Sequence, residues 1–244
     1  MPTRDDLQFL LLQARVEGDP MRIEEQQSFA RQLAVSDEQV HGLDILATPP
    51  DDSMLQDVHA VLVGGAGDFG VVHPNDAIIQ LMEFLARTAS RGYPLFASCF
   101  GFQALVKGLG GTVIEDHGHA EVGTTELSCT SAAARDSLFR NLPDHFDAQV
   151  GHKDRADRLP DGAINLVESG PCPHHAIHIE GTLAWATQFH PELTGEDNRR
   201  RFENYMDEYG ILFGADEARA RLNGCRPSLE SNSLLRDFVE LLSD

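Results

Sequence analysis

Lysine is the scarcest charged residue in this chain of 244 residues, which has only Lys107 and Lys153. Lysine and arginine together number 19, against 39 aspartates and glutamates, so the formal net charge at pH 7 is −20. A surface field of this sign repels the phosphate groups of nucleic acids and of anionic membranes. We therefore expect neither nucleic acid nor a membrane among the partners.

Long apolar runs are also missing, since none approaches the roughly 20 residues that a membrane-spanning helix needs. The N-terminal segment has acidic residues before its apolar stretch, whereas a signal peptide begins with basic residues. Apolar residues make up 41% of the chain, as in ordinary globular proteins, and its length suffices for one sizeable α/β domain. These features predict a globular protein of the cytoplasm.

Cysteine is sparse, and no CxxC pair is present. The four cysteines are Cys99, Cys129, Cys172 and Cys225. This spacing argues against a disulfide scaffold and a structural zinc site. Five histidines are close enough in sequence to suggest a metal: His117, His119, His174, His175 and His178. Because their spacings do not match a helix-borne pair such as HExxH, we predict no metal and no cofactor.

Apolar runs alternate with helical patterns through the first half of the chain. We predict strands at 7–14, 43–48, 59–65 and 94–99. We predict helices at 21–35, 75–90 and 101–110. This alternation predicts an α/β fold with a doubly wound, mainly parallel sheet and helices on both faces, in the flavodoxin-like manner. Shorter strand-like segments in the middle of the chain predict a small antiparallel part.

The C-terminal third begins with a buried strand over 182–192 and a helix at about 196–209. We assign residues 1–209 to the main domain and 210–244 to a C-terminal helical extension. Apolar residues recur in this extension at helical spacing: Leu234, Leu235, Phe238, Leu241 and Leu242. Such a face packs on the core or on another subunit, and we favour the core. Oligomerisation stays open.

The segment FASCFGFQAL, residues 96–105, runs from an apolar strand through Cys99 into a helix. A tight strand-to-helix turn presents its middle side chain at the carboxyl end of the sheet, where open α/β folds bind ligands. Ala97 and Gly101 are small enough for the two arms of such a turn. A helix N-terminus favours the thiolate, so Cys99 is a candidate nucleophile. Taken alone, the segment fits an inert core cysteine equally well.

Two further segments supply the other parts of a catalytic site. In FHPE, residues 189–192, His190 and Glu192 project from the same side of a strand end, so the carboxylate can orient the imidazole as a base. In VGGAGDFG, residues 63–70, glycines allow a backbone N–H to turn towards a ligand. That N–H and the N–H of Phe100 form a candidate oxyanion hole.

Together, the pieces VGGAGD, ASCFGFQ and FHPE resemble, in this order, the class I glutamine amidotransferase domain. The resemblance covers about residues 7–209. The segment 146–162 is similar to the stretch of the GMP synthetase amidotransferase domain that carries S-H-x-D, so that branch is the closest match.

The resemblance implies a role for each matching residue. Cys99 would form a γ-glutamyl thioester, with His190 as base and then acid, and Glu192 orienting it. Gly65 and Phe100 would provide the oxyanion N–H groups. Residues implied in substrate contacts are Gly67, Gln103, Gly151 and His152. The implied reaction is hydrolysis of the γ-amide of glutamine to glutamate and ammonia.

The chain departs from the family pattern at three places. Ala97 replaces the usual glycine before the nucleophile, and Gly151 replaces the usual serine. The loop reads GGAGD rather than GGP. These departures leave the three catalytic side chains in place, but put the substrate contact at Gly151 in doubt.

The sequence contains neither an SGGxDS-like ATP pyrophosphatase loop nor a Walker A motif, so the ammonia acceptor is not apparent. Three functions stay open. The chain is a glutaminase subunit for a separate synthetase, a stand-alone hydrolase of γ-glutamyl compounds, or an inactive binding or regulatory domain. The complete triad argues against the last of these.

Overall fold

The computed structural model describes residues 2–67 and 69–243. Eleven β-strands and seven α-helices lie within those residues. The strands are β1 (Phe9–Ala14), β2 (Val40–Asp44), β3 (Ala60–Ala66), β4 (Leu95–Ser98), β5 (Thr112–Glu115), β6 (Glu121–Cys129), β7 (His145–His152), β8 (Asp154–Arg158), β9 (Ala163–Glu168), β10 (Ala176–Ile179) and β11 (Ala184–Thr187). The helices are α1 (Met21–Leu33), α2 (Asp76–Ser90), α3 (Phe100–Gly108), α4 (Gly195–Asn204), α5 (Met206–Phe213), α6 (Ala215–Asn223) and α7 (Leu229–Leu242).

In the described part of the chain, nine strands form one sheet in the order β2-β1-β3-β4-β11-β10-β9-β6-β7. The strands from β2 to β11 pair in parallel, and those from β10 to β7 continue the sheet with antiparallel pairing. β5 and β8 form a separate antiparallel pair. The predicted doubly wound α/β fold with an antiparallel part is confirmed.

The parallel strands are buried on both faces. Along β1, Phe9 and Leu11 belong to one apolar cluster and Leu10 and Leu12 to the other, because successive side chains point to opposite faces of a sheet. Helices α1 and α7 cover the first face, and α2 and α3 cover the second. Burial on both faces explains the near-continuous apolar runs of these strands. Within the described residues, no helix is both long and apolar enough to cross a bilayer.

The predicted bounds of the second strand, 43–48, are wrong, because β2 is Val40–Asp44. The side chain of Asp44 accepts the backbone N–H of Leu46 at 2.9 Å, and its carbonyl accepts that of Thr48 at 2.9 Å. These local hydrogen bonds turn the chain out of the sheet while the apolar run continues.

The predicted helix at 196–209 is two helices, α4 and α5, separated at Tyr205. The predicted boundary between residues 209 and 210 falls inside α5. Helix α7 belongs to the main core: Leu234, Leu235 and Phe238 are buried there, with the Phe238 ring 5.7 Å from that of Phe96.

Sheet topology brings the two main motifs together. β4 and β11 are adjacent parallel strands, with Ser98 paired to Thr187 at their carboxyl ends. Cys99 follows β4 directly, and the segment that carries His190 and Glu192 follows β11. Parallel neighbours end at the same edge of a sheet, so residues far apart in sequence meet there.

Candidate active site

Cys99 occupies a strained turn between β4 and α3. Its φ of 51° and ψ of −102° lie outside the regions that side chains with a Cβ prefer. Such a conformation costs on the order of 1–3 kcal/mol and persists where the surrounding structure enforces it. Here the enforcement is close packing of α3 on β3, since a Cβ at Gly101 would lie 2.7 Å from Cβ of Val63. The sulfur is half-buried and faces a cavity.

His190 and Glu192 form a buried pair beside this thiol. Nδ1 of His190 lies 2.6 Å from Oε1 of Glu192, and the carboxylate is fully buried. The backbone N–H of His190 donates to the carbonyl of Gln149 on β7 at 2.8 Å, which anchors the segment. The imidazole therefore has a defined orientation, with its other nitrogen free to serve the thiol.

The charges around His190 change its pKa more than its burial does. Burial lowers the pKa of His190, but the Glu192 carboxylate and the Cys99 sulfur, through charge and hydrogen bonding, raise it to about 10. For Glu192, burial raises the pKa, while His190 and the guanidinium of Arg201 lower it to a net value below the usual one. The physical cause on both sides is a charge pair in a low dielectric. The favoured state at neutral pH is an imidazolium paired with the Glu192 carboxylate.

The Gly65 half of the predicted oxyanion hole is not available in this structure. The backbone N–H of Gly65 donates to Oε1 of Glu25 at 3.0 Å. Glu25 is itself buried and also accepts from Arg15 at 3.2 Å and from Gln13 at 2.9 Å. The sequence does not reveal this carboxylate, because it arrives from α1 through the tertiary fold.

The Phe100 N–H belongs to the first turn of α3, where N–H groups have no partner within the helix. Phe100 directly follows Cys99, so its N–H stays a predicted oxyanion donor.

The sequence predicts that Gln103 contacts the substrate, but Gln103 does not line the cavity. Its Nε2 donates to the carbonyl of Asp154 at 3.0 Å and to Oε1 of Gln188 at 3.1 Å. Gln188 in turn directs Nε2 towards Sγ of Cys99 at 3.7 Å. Sequence reasoning missed Gln188, although it precedes His190 by two residues, and alternation along an extended segment places both on one side.

Cys99 lines a cavity of about 840 Å³. Of the predicted substrate contacts, Gly67, Gly151 and His152 line it. The carbonyl of Gly151 lies 3.9 Å from Sγ of Cys99, and a Cβ at Gly151 would meet nothing within 4 Å. A serine would therefore fit at this position, as in the family pattern.

One lysine and two arginines line the cavity despite the acidity of the chain: Lys153, Arg15 and Arg201. Arg15 is paired with Glu25 and Asp19. Nε and Nη2 of Arg201 are buried without a hydrogen-bond partner among the described residues. Arg201 thus has buried donors without a partner among the described residues, a feature that the sequence run Arg199–Arg201 does not reveal.

A second cysteine, Cys172, also has histidine and glutamate neighbours, but it differs from Cys99 in access. It is fully buried, and this burial raises the pKa of its thiol to about 12. It also lies off the cavity wall. Cys99 is therefore the cysteine whose position suits nucleophilic chemistry.

This fold and site define an α/β enzyme with a cysteine nucleophile. A family model described as "Glutamine amidotransferase class-I" matches residues 26–206, and the chain belongs to this family. The predicted family and cysteine amidohydrolase class are thereby confirmed.

Curated relatives include proteins named "GMP synthase [glutamine-hydrolyzing]". The one from Shewanella frigidimarina is 25% identical over 159 residues, which are 62% of this chain and 27% of that protein. The one from Thermosipho africanus is 36% identical over 148 residues, 60% of this chain and 25% of that protein. The matched region thus spans about a quarter of these relatives.

Solved structures similar to this chain include a glutamine amidotransferase from Thermotoga maritima. The two structures superimpose with a TM-score of 0.71 at 20% identity, and the alignment covers 97% of this chain and 98% of that one. A protein from Thermoplasma acidophilum, described as a GMP synthase subunit, has a TM-score of 0.67 at 18% identity, covering 97% and 94%. At these identities the likeness shows a shared fold.

Proposed function

We propose that this chain hydrolyses the γ-amide of glutamine through a γ-glutamyl thioester on Cys99 and supplies ammonia to a separate synthetase. The observation that carries the proposal is that Cys99 and His190 line one cavity of a class I glutamine amidotransferase, with Glu192 buried against the imidazole of His190. The descriptions of the similar proteins, as glutamine-hydrolysing GMP synthases and as one subunit of a GMP synthase, support glutamine as the substrate and a synthetase as the partner.

In the proposed reaction the Cys99 thiolate adds to the γ-carbonyl carbon of glutamine. The Phe100 N–H stabilises the oxygen anion that forms. His190 then gives its proton to the leaving nitrogen, so ammonia departs and the thioester remains. Water, activated by His190, hydrolyses the thioester and returns glutamate and the free thiol. Glu192 holds the imidazole in position throughout.

The hydrogen bond between Gly65 and Glu25 limits the proposed reaction in this conformation. A second oxyanion donor is commonly worth a factor of about 10²–10³ in turnover. We therefore expect the chain alone to be a slow glutaminase. Reorientation of the Gly65 peptide on partner binding would raise its rate.

Arg201 is the group we propose to bind a substrate carboxylate. Arg201 lines the same cavity as the Cys99 sulfur, and two of its guanidinium nitrogens lack a hydrogen-bond partner among the described residues. A guanidinium matches a carboxylate through paired N–H donors, which orients the substrate as well as binding it.

Hydrolysis of a larger γ-glutamyl compound is the second candidate. The cavity of about 840 Å³ falls in the range of about 300–1,000 Å³ that accommodates drug-sized ligands, more than a single free amino acid fills. A γ-glutamyl peptide would use the same three catalytic side chains and place its second residue in the remaining space.

Labelling with 6-diazo-5-oxo-norleucine, a glutamine-like electrophile, tests the proposal. The purified chain is treated with the reagent and the adduct is located by peptide mass spectrometry, with Cys99→Ala as the control. We expect an adduct on Cys99 that excess glutamine prevents.

Other outcomes would discriminate the alternatives. Labelling that γ-glutamyl peptides prevent and glutamine does not would favour the second candidate. If iodoacetamide alkylates Cys99 but the glutamine analogue does not, the chain alone has no competent glutamine site, as expected of a site that only a partner opens or of a binding or regulatory domain.

A further inference from the structure

Four potential metal ligands converge in the core beside the active site. Glu121 begins β6, His152 ends β7, and Cys172 and His175 lie in the loop between β9 and β10. One ligand atom from each lies within 4.8 Å of all the others. All four residues are at least nine-tenths buried, with exposures of 4%, 5%, 0% and 0% in the order named. We call them the Glu121 cluster.

One ring nitrogen of His152 lies beside a buried carboxylate without a hydrogen bond. Its Nδ1 lies 3.1 Å from the carbonyl oxygen of Asp154, which only accepts, so Nδ1 carries the proton. Nε2 of His152 then points towards Glu121: it lies 3.4 Å from Oε2 and has no hydrogen-bond partner among the described residues. A buried ring nitrogen and a carboxylate oxygen in this arrangement are suited to share a bound cation.

Other buried polar atoms of the Glu121 cluster also lack a partner. Nε2 of His175 lies 2.8 Å from Oε2 of Glu121, and the Ser169 hydroxyl donates a hydrogen bond to the same oxygen at 3.1 Å. Oε1 of Glu121 and Nδ1 of His175 have no hydrogen-bond partner among the described residues. Buried polar atoms without partners are rare in folded proteins, and an absent ion is one of their causes.

We propose that the Glu121 cluster binds one divalent transition-metal ion, with Zn²⁺ as the best match. Two imidazole nitrogens, one thiolate and one carboxylate oxygen form a four-ligand set of the kind that zinc adopts, whereas calcium and magnesium prefer oxygen alone. Ligand bonds of about 2.0–2.3 Å place tetrahedral ligands about 3.3–3.8 Å apart, so modest inward shifts of these side chains complete the site.

The metal would hold the wall of the cavity next to the nucleophile. His152 follows Gly151, whose carbonyl faces Sγ of Cys99 at 3.9 Å. An ion bound by the Glu121 cluster ties this end of β7 to β6 and to the β9–β10 loop. The ion would therefore position the Gly151–His152 segment, and it takes no part in the proposed thioester chemistry.

Metal binding is tested first in the Cys99→Ala background, which removes the other thiol that could bind zinc beside a histidine. After chelator treatment and dialysis, Zn²⁺ is titrated in competition with a chromogenic chelator. We expect one ion per chain. Replacement by Co²⁺ should give the near-ultraviolet thiolate-to-metal band and the visible bands of a tetrahedral site.

Cys172→Ser in the same background should weaken Zn²⁺ binding by at least about tenfold and abolish the Co²⁺ thiolate band. Cys129→Ser is the matched control, because Cys129 is a half-buried cysteine outside the cluster, and it should bind as the parent does. His175→Gln provides a second ligand variant should Cys172→Ser fail to fold.

Failure of the parent to bind one Zn²⁺, or a Co²⁺ complex without a thiolate band, would overturn the proposal. The Glu121 cluster would then be a protonated imidazole–carboxylate network. Equal affinities of the Cys172 and Cys129 variants would overturn it as well. None of these measurements depends on glutaminase activity, so the proposed metal site and the proposed function are tested independently.

Discussion

At the scale of single residues, the candidate site combines backbone strain with buried charge. Cys99 is held at positive φ by its neighbours, which turns its sulfur towards the cavity rather than into the core. His190 and Glu192 are both buried, so their interaction is little screened by solvent. The reactivity of Cys99 therefore depends on where the fold places its sulfur and the side chains of His190 and Glu192, and not on the amino-acid composition of the chain.

Glu192→Gln should lower stability more at pH values near 6 than at alkaline pH. The pKa of His190 is raised from about 6.5 to about 10, so its charged form stabilises the fold fully below the lower value and progressively less up to the higher one. The difference in free energy of unfolding between the parent and the variant should therefore shrink from pH 7 to pH 10. Urea denaturation at several pH values measures it.

Glu126→Gln is the control for this series, because Glu126 is an exposed carboxylate on β6. Its difference from the parent should stay constant over the same pH range. A Glu192→Gln difference that is equally constant would mean that the imidazolium–carboxylate pair does not form.

At the scale of secondary structure elements, the contact between α3 and β3 shapes the nucleophile turn. A Cβ at Gly101 would lie 2.7 Å from Cβ of Val63 and 2.9 Å from its carbonyl oxygen. The absence of a side chain at Gly101 allows α3 to approach the sheet closely enough for its first N–H groups to lie beside the sulfur of Cys99. Glycine is required here by close approach, since Gly101 has no positive φ.

Gly101→Ala should lower the free energy of unfolding by about 1–3 kcal/mol, as expected of overpacking, and should reduce labelling of Cys99 by displacing α3. Thermal and urea denaturation measure the first effect, and the rate of adduct formation measures the second. Gly210→Ala is a matched control within α5, where an added Cβ meets nothing within 4 Å. It should raise stability by about 0.5–1 kcal/mol through helix propensity. Equal effects of the two substitutions would contradict the packing argument.

At the scale of the whole molecule, the C-terminal helix completes the core of the domain. Phe238 is fully buried and contacts the rings of Phe96 on β4 and Trp185 on β11, the two strands that precede the catalytic segments. The buried face of α7 is thus continuous with the central strands of the sheet. This packing supports the core interpretation of the apolar pattern in residues 210–244.

Phe238→Ala should lower the free energy of unfolding by about 3–5 kcal/mol, because it leaves a cavity against the two central strands. Leu229→Ala on the same helix removes an apolar side chain that is 72% exposed and should change stability by less than about 0.5 kcal/mol. Chemical denaturation of both variants measures the difference. Similar, small effects would show that α7 is dispensable for the core.

The local pattern of apolar and polar residues was enough to predict the fold class and most of the secondary structure from the sequence alone. Period-two and period-3.6 apolar patterns reflect local backbone geometry, so they predict the α/β fold and most of its elements. The predicted bounds of β2 are wrong because hydrogen bonds within one turn, at Asp44, end the strand inside an apolar run. The strand-to-helix turn at Cys99 and the pairing of His190 with Glu192 are equally local, and the sequence predicts both.

Only the tertiary structure decided which groups from distant segments meet. Glu25 on α1 accepts a hydrogen bond from the N–H of Gly65. Gln103 donates a hydrogen bond to Gln188 and does not line the cavity. Arg201 has buried donors without a partner among the described residues. Glu121, His152, Cys172 and His175 likewise converge from separate strands and a loop, with no spacing in sequence to reveal them. The physical reason is that strand order and packing set these distances, whereas a sequence pattern records only neighbours along the chain.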